Sequence, residues 1–172
     1  LVPTVTDRID KAVLMQAGEQ LKLIANFGNG VDNIDVETAL SRGITVTNTP
    51  NVLTEDTADL AIALMLMAMR RLGEGERQLR AGAWPGWHPM HHLGRRLSGK
   101  TLGIVGMGRI GRAVGRRAVH GFGMRLRYAS RTELPAGEAA ALDAVHVEVD
   151  RVFAESDVVS LHVPSSPETR HL

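Results

Sequence analysis

Glycine occupies the first, third and sixth positions of the segment Gly106-Met107-Gly108-Arg109-Ile110-Gly111. An apolar run, Thr101–Val105, precedes it, and Arg109–His120 has the character of a helix. Between a strand and a helix, this spacing is a dinucleotide-binding fingerprint. Gly106 permits the tight turn, Gly108 lets the backbone approach a pyrophosphate, and Gly111 lets helix and strand pack closely. Met107, Arg109 and Ile110 complete the turn, where free amides and the positive end of the helix dipole favour phosphate. The alternative is a glycine-rich strand–helix turn that holds no ligand. A kinase glycine-rich loop shares the glycines, but the chain has no V-A-I-K lysine and no H-R-D loop.

About 20 residues on, the next predicted strand, Met124–Ala129, ends in Ser130-Arg131-Thr132. An NAD-binding fold usually carries an acidic residue here to hold the ribose hydroxyls. Here there is none before Glu133. Two hydroxyls and a guanidinium suit the 2′-phosphate of NADP, since arginine contacts phosphate bidentately. NAD stays open, because Arg131 in a solvated loop would leave specificity loose.

The elements that must position these groups alternate strand and helix, which predicts an α/β fold with a Rossmann-type doubly wound parallel sheet. Leu102–Val105 is expected at its centre. Leu21–Phe27 and Ile44–Thr47 read as earlier strands around a short helix, Asp35–Ser41, ended by Gly43. Thr54 is expected to cap a long helix, 54–71, with Glu55 and Asp56 in its favourable first turn. Its nearly unbroken apolar run, Ala58–Met69, predicts burial on most sides, and Gly73 and Gly75 weaken its continuation. Residues 81–97 show no period and carry Trp84 and Trp87, which reads as an arm with something to bury the rings against. Beyond Thr132, Ala136–Ala144 reads as a helix, Val145–Val149 as a short strand and Val152–Glu155 as a helical turn. Val158–Val163 reads as a strand cut off by Pro164.

Composition narrows the class. Of 172 residues, 20 are basic and 19 acidic, a net charge of +1, so no field draws nucleic acid or a membrane surface. Cysteine is absent, which excludes disulfides and thiolate chemistry and fits a cytoplasmic protein. The longest apolar stretch, Leu60–Met69, is about half of the roughly 20 residues that span a bilayer. His88, His91 and His92 lack a carboxylate or cysteine at ligand spacing, so no metal site is expected. His162, in a predicted strand, reads as structural.

The chain resembles the D-2-hydroxyacid dehydrogenase family, in its glyoxylate/hydroxypyruvate reductase branch. The resemblance is carried by NFGNGVDNID (26–35), RGITVTNTPNVLTEDTADLAIALML (42–66), WPGWHPMHHLG (84–94), GKTLGIVGMGRIG (99–111), YASRT (128–132) and SDVVSLHVPSSPETRHL (156–172). It implies part of a flavodoxin-like substrate domain at 1–52, followed by a partial dinucleotide-binding domain at 53–172. It implies NAD(P)-dependent reduction, with NADPH the favoured donor, of a 2-keto acid such as glyoxylate or hydroxypyruvate. Amides at Asn29 and Gly30 would hold the substrate carboxylate, as glycine-flanked amides after a strand form an anion nest. Asn51 matches a position facing the substrate, Thr57 one near the cofactor, and Val163 and Pro164 a loop beside the adenosine. Trp87 matches a dimer arm that approaches the partner's site, so helix 54–71 and arm 81–97 are expected to form a homodimer interface. The family's arginine, histidine and glutamate match nothing before Leu172. No residue is therefore assigned a catalytic role, the chain reads as an internal portion of a longer enzyme, and alone it is expected to be inactive. An NAD-linked formate dehydrogenase and a non-catalytic dinucleotide-sensing regulator are the alternatives. Ser130, where an aspartate would be expected, disfavours the first.

Overall fold

The short apolar runs Leu23–Ala25 and Thr45–Thr47 pair in parallel as β1 and β2, with Leu23 opposite Thr45. Two one-and-a-half-turn helices accompany them, α1 at Lys11–Gln16 and α2 at Val36–Ser41. Each is held at its start by an aspartate, Asp10 accepting from the Val13 amide and Asp35 from that of Thr38. Leu14, Ile24, Ala39 and Ile44 form the shared core. The strand expected over Leu21–Phe27 shrinks to three paired residues, and α1 is too short to have shown a period. This computed structural model describes residues 1–172, which divide into two compact units, Leu1–Leu53 and Thr54–Leu172.

The second unit begins with α3, Thr54–Arg70, followed by α4, Leu72–Arg80. Arg71, at φ 55°, interrupts the helix between them, so α3 ends at Arg70, one residue short of its expected end. Thr54 is the first residue of α3 rather than its cap. Helix α4 was not expected. Gly73 and Gly75 lie inside it, and the Arg71–Glu74 and Glu76–Arg80 ion pairs support its turns. Burial on most sides of α3 is also corrected. Only Ala58 and Met65 are buried, while Leu60, Leu64 and Met67 are 59%, 55% and 42% exposed. Residues 81–97 follow α4 without helix or strand.

The remaining elements are β3 (Thr101–Val105), α5 (Arg109–Phe122), β4 (Arg125–Ala129), α6 (Ala136–Ala141), β5 (Ala144–His146), α7 (Val149–Glu155) and β6 (Val158–Leu161). The four strands form one parallel sheet in the order β5-β4-β3-β6. Every residue of β3 is buried, as a central strand covered on both faces requires. Helix α5 runs two residues past the expected His120, through Gly121, and stops at Gly123, whose φ of 59° closes the last turn. Ile104, Val114, Ala118 and Leu126 pack the helix onto the sheet. Parallel pairing in this order brings the carboxyl ends of β3, β4 and β6 to one edge of the sheet.

Candidate cofactor-binding site

The glycine turn begins where β3 ends. The Gly106 amide donates to the Ala129 carbonyl at 2.8 Å, and its φ is 96°. A Cβ there would sit 2.5 Å from the His162 carbonyl oxygen, so both backbone and space require glycine. At Gly111 a Cβ would meet the Gly106 carbonyl oxygen at 2.3 Å. Gly108 differs, because a Cβ there would meet nothing within 4 Å. It is the N-cap of α5, and no side chain caps the first turn. The turn therefore presents an open cradle and a helix N-terminus, which suits a phosphate.

Gly106, Met107 and Gly108 form one wall of a cavity of about 770 Å³. Ser130, Arg131 and Thr132, after β4, form a second. Val163 and Pro164, after β6, form a third with the short turn Pro167–Thr169. Three segments far apart in sequence thus share one concavity, with the size and donor set for a dinucleotide. Arg109, Ile110 and Gly111 belong to the turn but do not line the cavity, and neither does Thr57, half-buried on α3.

Among the lining residues that the sequence did not single out for the site, five carry a charge or an imidazole. Arg112, one residue past the last glycine, pairs with Glu138 at 3.0 Å. His146, at the end of β5, brings Nε2 to 3.2 Å from the Ser130 carbonyl and Nδ1 to 3.3 Å from Glu133, while its ring lies 5.0 Å from that of Tyr128. The Tyr128 hydroxyl accepts from the Leu134 amide at 2.9 Å, so the segment 130–134 is tied at both ends. Glu148 is the third. His162, read as structural, is the fourth: its Nε2 lies 2.9 Å from the Ser160 hydroxyl, and burial pushes its pKa down, favouring the neutral ring. Glu168 also lines the cavity, and its pKa is lowered by the Ser166 hydroxyl first and less by Arg131.

In the first unit, the Asn29 carbonyl accepts from the Asn48 side chain at 2.7 Å and the Gly30 carbonyl from that of Asn26, also at 2.7 Å. Across the planar trans peptide, the Gly30 amide points away from Asn48. Asn51 is exposed, at φ 70°, a conformation asparagine tolerates. Trp87 is 82% exposed. His91 and His92 both contact the Gln78 side-chain oxygen, a local polar cluster that accounts for their proximity.

Residues 62–172 match the family described as D-isomer specific 2-hydroxyacid dehydrogenase, NAD binding domain. The whole chain is 51% identical to a glyoxylate reductase of Thermococcus litoralis, of which it covers 52%. A Thermus thermophilus protein of known structure is 50% identical with a TM-score of 0.90, over 98% of this chain and 52% of that one. A D-lactate dehydrogenase from Aquifex aeolicus, solved with NAD and lactic acid, is 30% identical with a TM-score of 0.87, over 99% of this chain and 50% of that one. The chain thus spans about half the length of the relatives it matches.

Proposed function

We propose a function from the premise that this chain belongs to the D-isomer-specific 2-hydroxyacid dehydrogenase family. It forms the cofactor-holding portion of a longer reductase that reduces a small 2-keto acid, glyoxylate or hydroxypyruvate, preferentially with NADPH. The observation that carries this reading is the shared cavity, where an open glycine turn and the Ser130-Arg131-Thr132 segment face one space with no acidic residue at the end of β4.

When bound, the nicotinamide supplies the hydride. Gly106–Gly111 holds the pyrophosphate at the α5 N-terminus. Arg131, with the hydroxyls of Ser130 and Thr132, reads the 2′-phosphate, and Val163 and Pro164 flank the adenosine. Thr57 contributes to the cofactor side. The Asn29 and Gly30 amides orient the keto acid through its carboxylate, and Asn51 contributes to the same pocket. No side chain of this portion is assigned the proton transfer.

The enzyme is a cytoplasmic homodimer in this reading. The exposed Leu60, Leu64 and Met67 on α3 and the exposed Trp87 support an interface there. No helix is long and apolar enough to cross a membrane.

The test is initial-rate kinetics of the intact protein with glyoxylate and hydroxypyruvate against NADPH and NADH. Turnover of either keto acid with a higher kcat/KM for NADPH is expected. Absence of turnover of both, or a preference for NADH, refutes the reading.

A further inference from the structure

We propose that Arg112 is a second reader of the cofactor's 2′-phosphate, held in the free protein by Glu138 and exchanged onto the phosphate when NADPH binds. This rests on the NADPH reading above and adds a residue that the glycine fingerprint does not contain.

Arg112 lies on α5, directly after Gly111, and lines the same cavity that Arg131 lines from the end of β4. Its Nη1 is 3.0 Å from Glu138, and its Nε donates to the Met107 carbonyl at 3.3 Å. The carbonyl contact anchors the stem to the glycine turn. Neither contact uses Nη2. A guanidinium carries five donors in a planar fork that matches phosphate geometry.

The pair with Glu138 is suited to exchange. The two side chains are 36% and 46% exposed, so the ion pair sits in solvent-screened surroundings and holds weakly. Glu138 stands in the first turn of α6, where the helix dipole favours its charge even without Arg112. A phosphate monoester carries close to two negative charges against one on the carboxylate, which tips the exchange towards the cofactor.

Arg131 alone is poorly placed to balance that charge. Glu148 and Glu168 line the same cavity and oppose a phosphate. Glu168 is already stabilised in part by Arg131, so some of the Arg131 field is spent on it. A second guanidinium matches the two carboxylates, so that their charge no longer outweighs that of the arginines facing the phosphate.

The experiment separates a reader from a brace. NADPH and NADH are titrated into the intact protein, wild type, Arg112→Gln and Glu138→Gln. Both substitutions break the same ion pair. A reader gives opposite signs: Arg112→Gln weakens NADPH about tenfold or more, the scale of one charge-assisted contact, with little change for NADH. Glu138→Gln, which removes the competing carboxylate, tightens NADPH by about two- to fivefold and leaves NADH unchanged. The same direction of change for NADPH in both variants overturns the proposal, because the pair then only braces α5 to α6. Equal weakening of both cofactors by Arg112→Gln also overturns it. The wild-type ratio of affinities tests the NADPH reading separately from the variants. Glu138→Gln, on an exposed position, keeps the test decisive if Arg112→Gln folds poorly.

Discussion

The Gly111 backbone packs against the Gly106 carbonyl so closely that a Cβ on Gly111 would lie 2.3 Å from that oxygen. The atom in the way is backbone, within a turn that also makes a 2.8 Å hydrogen bond from Gly106 to Ala129. Gly111→Ala must therefore move α5 or the turn. Overpacking of this kind costs about 1–3 kcal/mol. We expect a lower urea midpoint and weakened binding of both dinucleotides. An unchanged midpoint with unchanged binding would show that the turn yields without cost.

Arg131→Ala should separate the two cofactors. A charge-assisted contact to phosphate is worth roughly 1.5–3 kcal/mol, or about 10- to 150-fold in affinity. NADPH is expected to weaken on that scale and NADH far less, measured by fluorescence titration of the intact protein. Arg125 and Arg127 precede the end of β4, and Arg127 pairs with Glu155 at 3.2 Å, so neither substitutes for it. Equal losses for both cofactors would show that Arg131 does not read the phosphate.

His146 holds the Ser130 carbonyl while packing beside Tyr128. His146→Phe keeps a ring against Tyr128 and removes both polar contacts. The exposed position limits the stability cost to about 1 kcal/mol or less. The expected effect is on binding: a severalfold weaker NADPH titration, with partial recovery in His146→Gln, which restores a donor. Recovery absent in the glutamine variant would assign the effect to packing.

Acid should loosen the start of β3. Asp157 accepts from the Thr101 amide at 2.9 Å and pairs with Lys100 at 3.2 Å. The Thr101 hydrogen bond chiefly, and Lys100 next, hold its carboxyl below the usual value of 3.8. A depressed folded-state pKa gives stability that is present above the unfolded value and is lost as pH falls through the folded one. The wild-type urea midpoint should therefore fall more steeply below about pH 4 than that of Asp157→Asn. Parallel curves for the two proteins would remove Asp157 from the acid response.

The run from β3 through the glycine turn and α5 to β4 was legible in the sequence. Its signals are local: five apolar or small residues, glycines at fixed spacing, a helix with one apolar face, and a β-rich strand ending in Ser130-Arg131-Thr132. The weight of charge, the absent cysteine and the alternation of strand and helix were equally direct. Helix α4 was not legible, because its two glycines argue against helix and its support comes from ion pairs one turn apart. The exposure of Leu60, Leu64 and Met67 was hidden too, since an apolar run reads alike whether it meets a core or solvent. The far wall of the cavity was decided only by tertiary structure. Arg112, His146, His162 and Glu168 stand on four separate segments, and no spacing along the chain links them. Parallel pairing in the order β5-β4-β3-β6 carries the strand ends to one edge, and that edge makes neighbours of residues more than fifty positions apart.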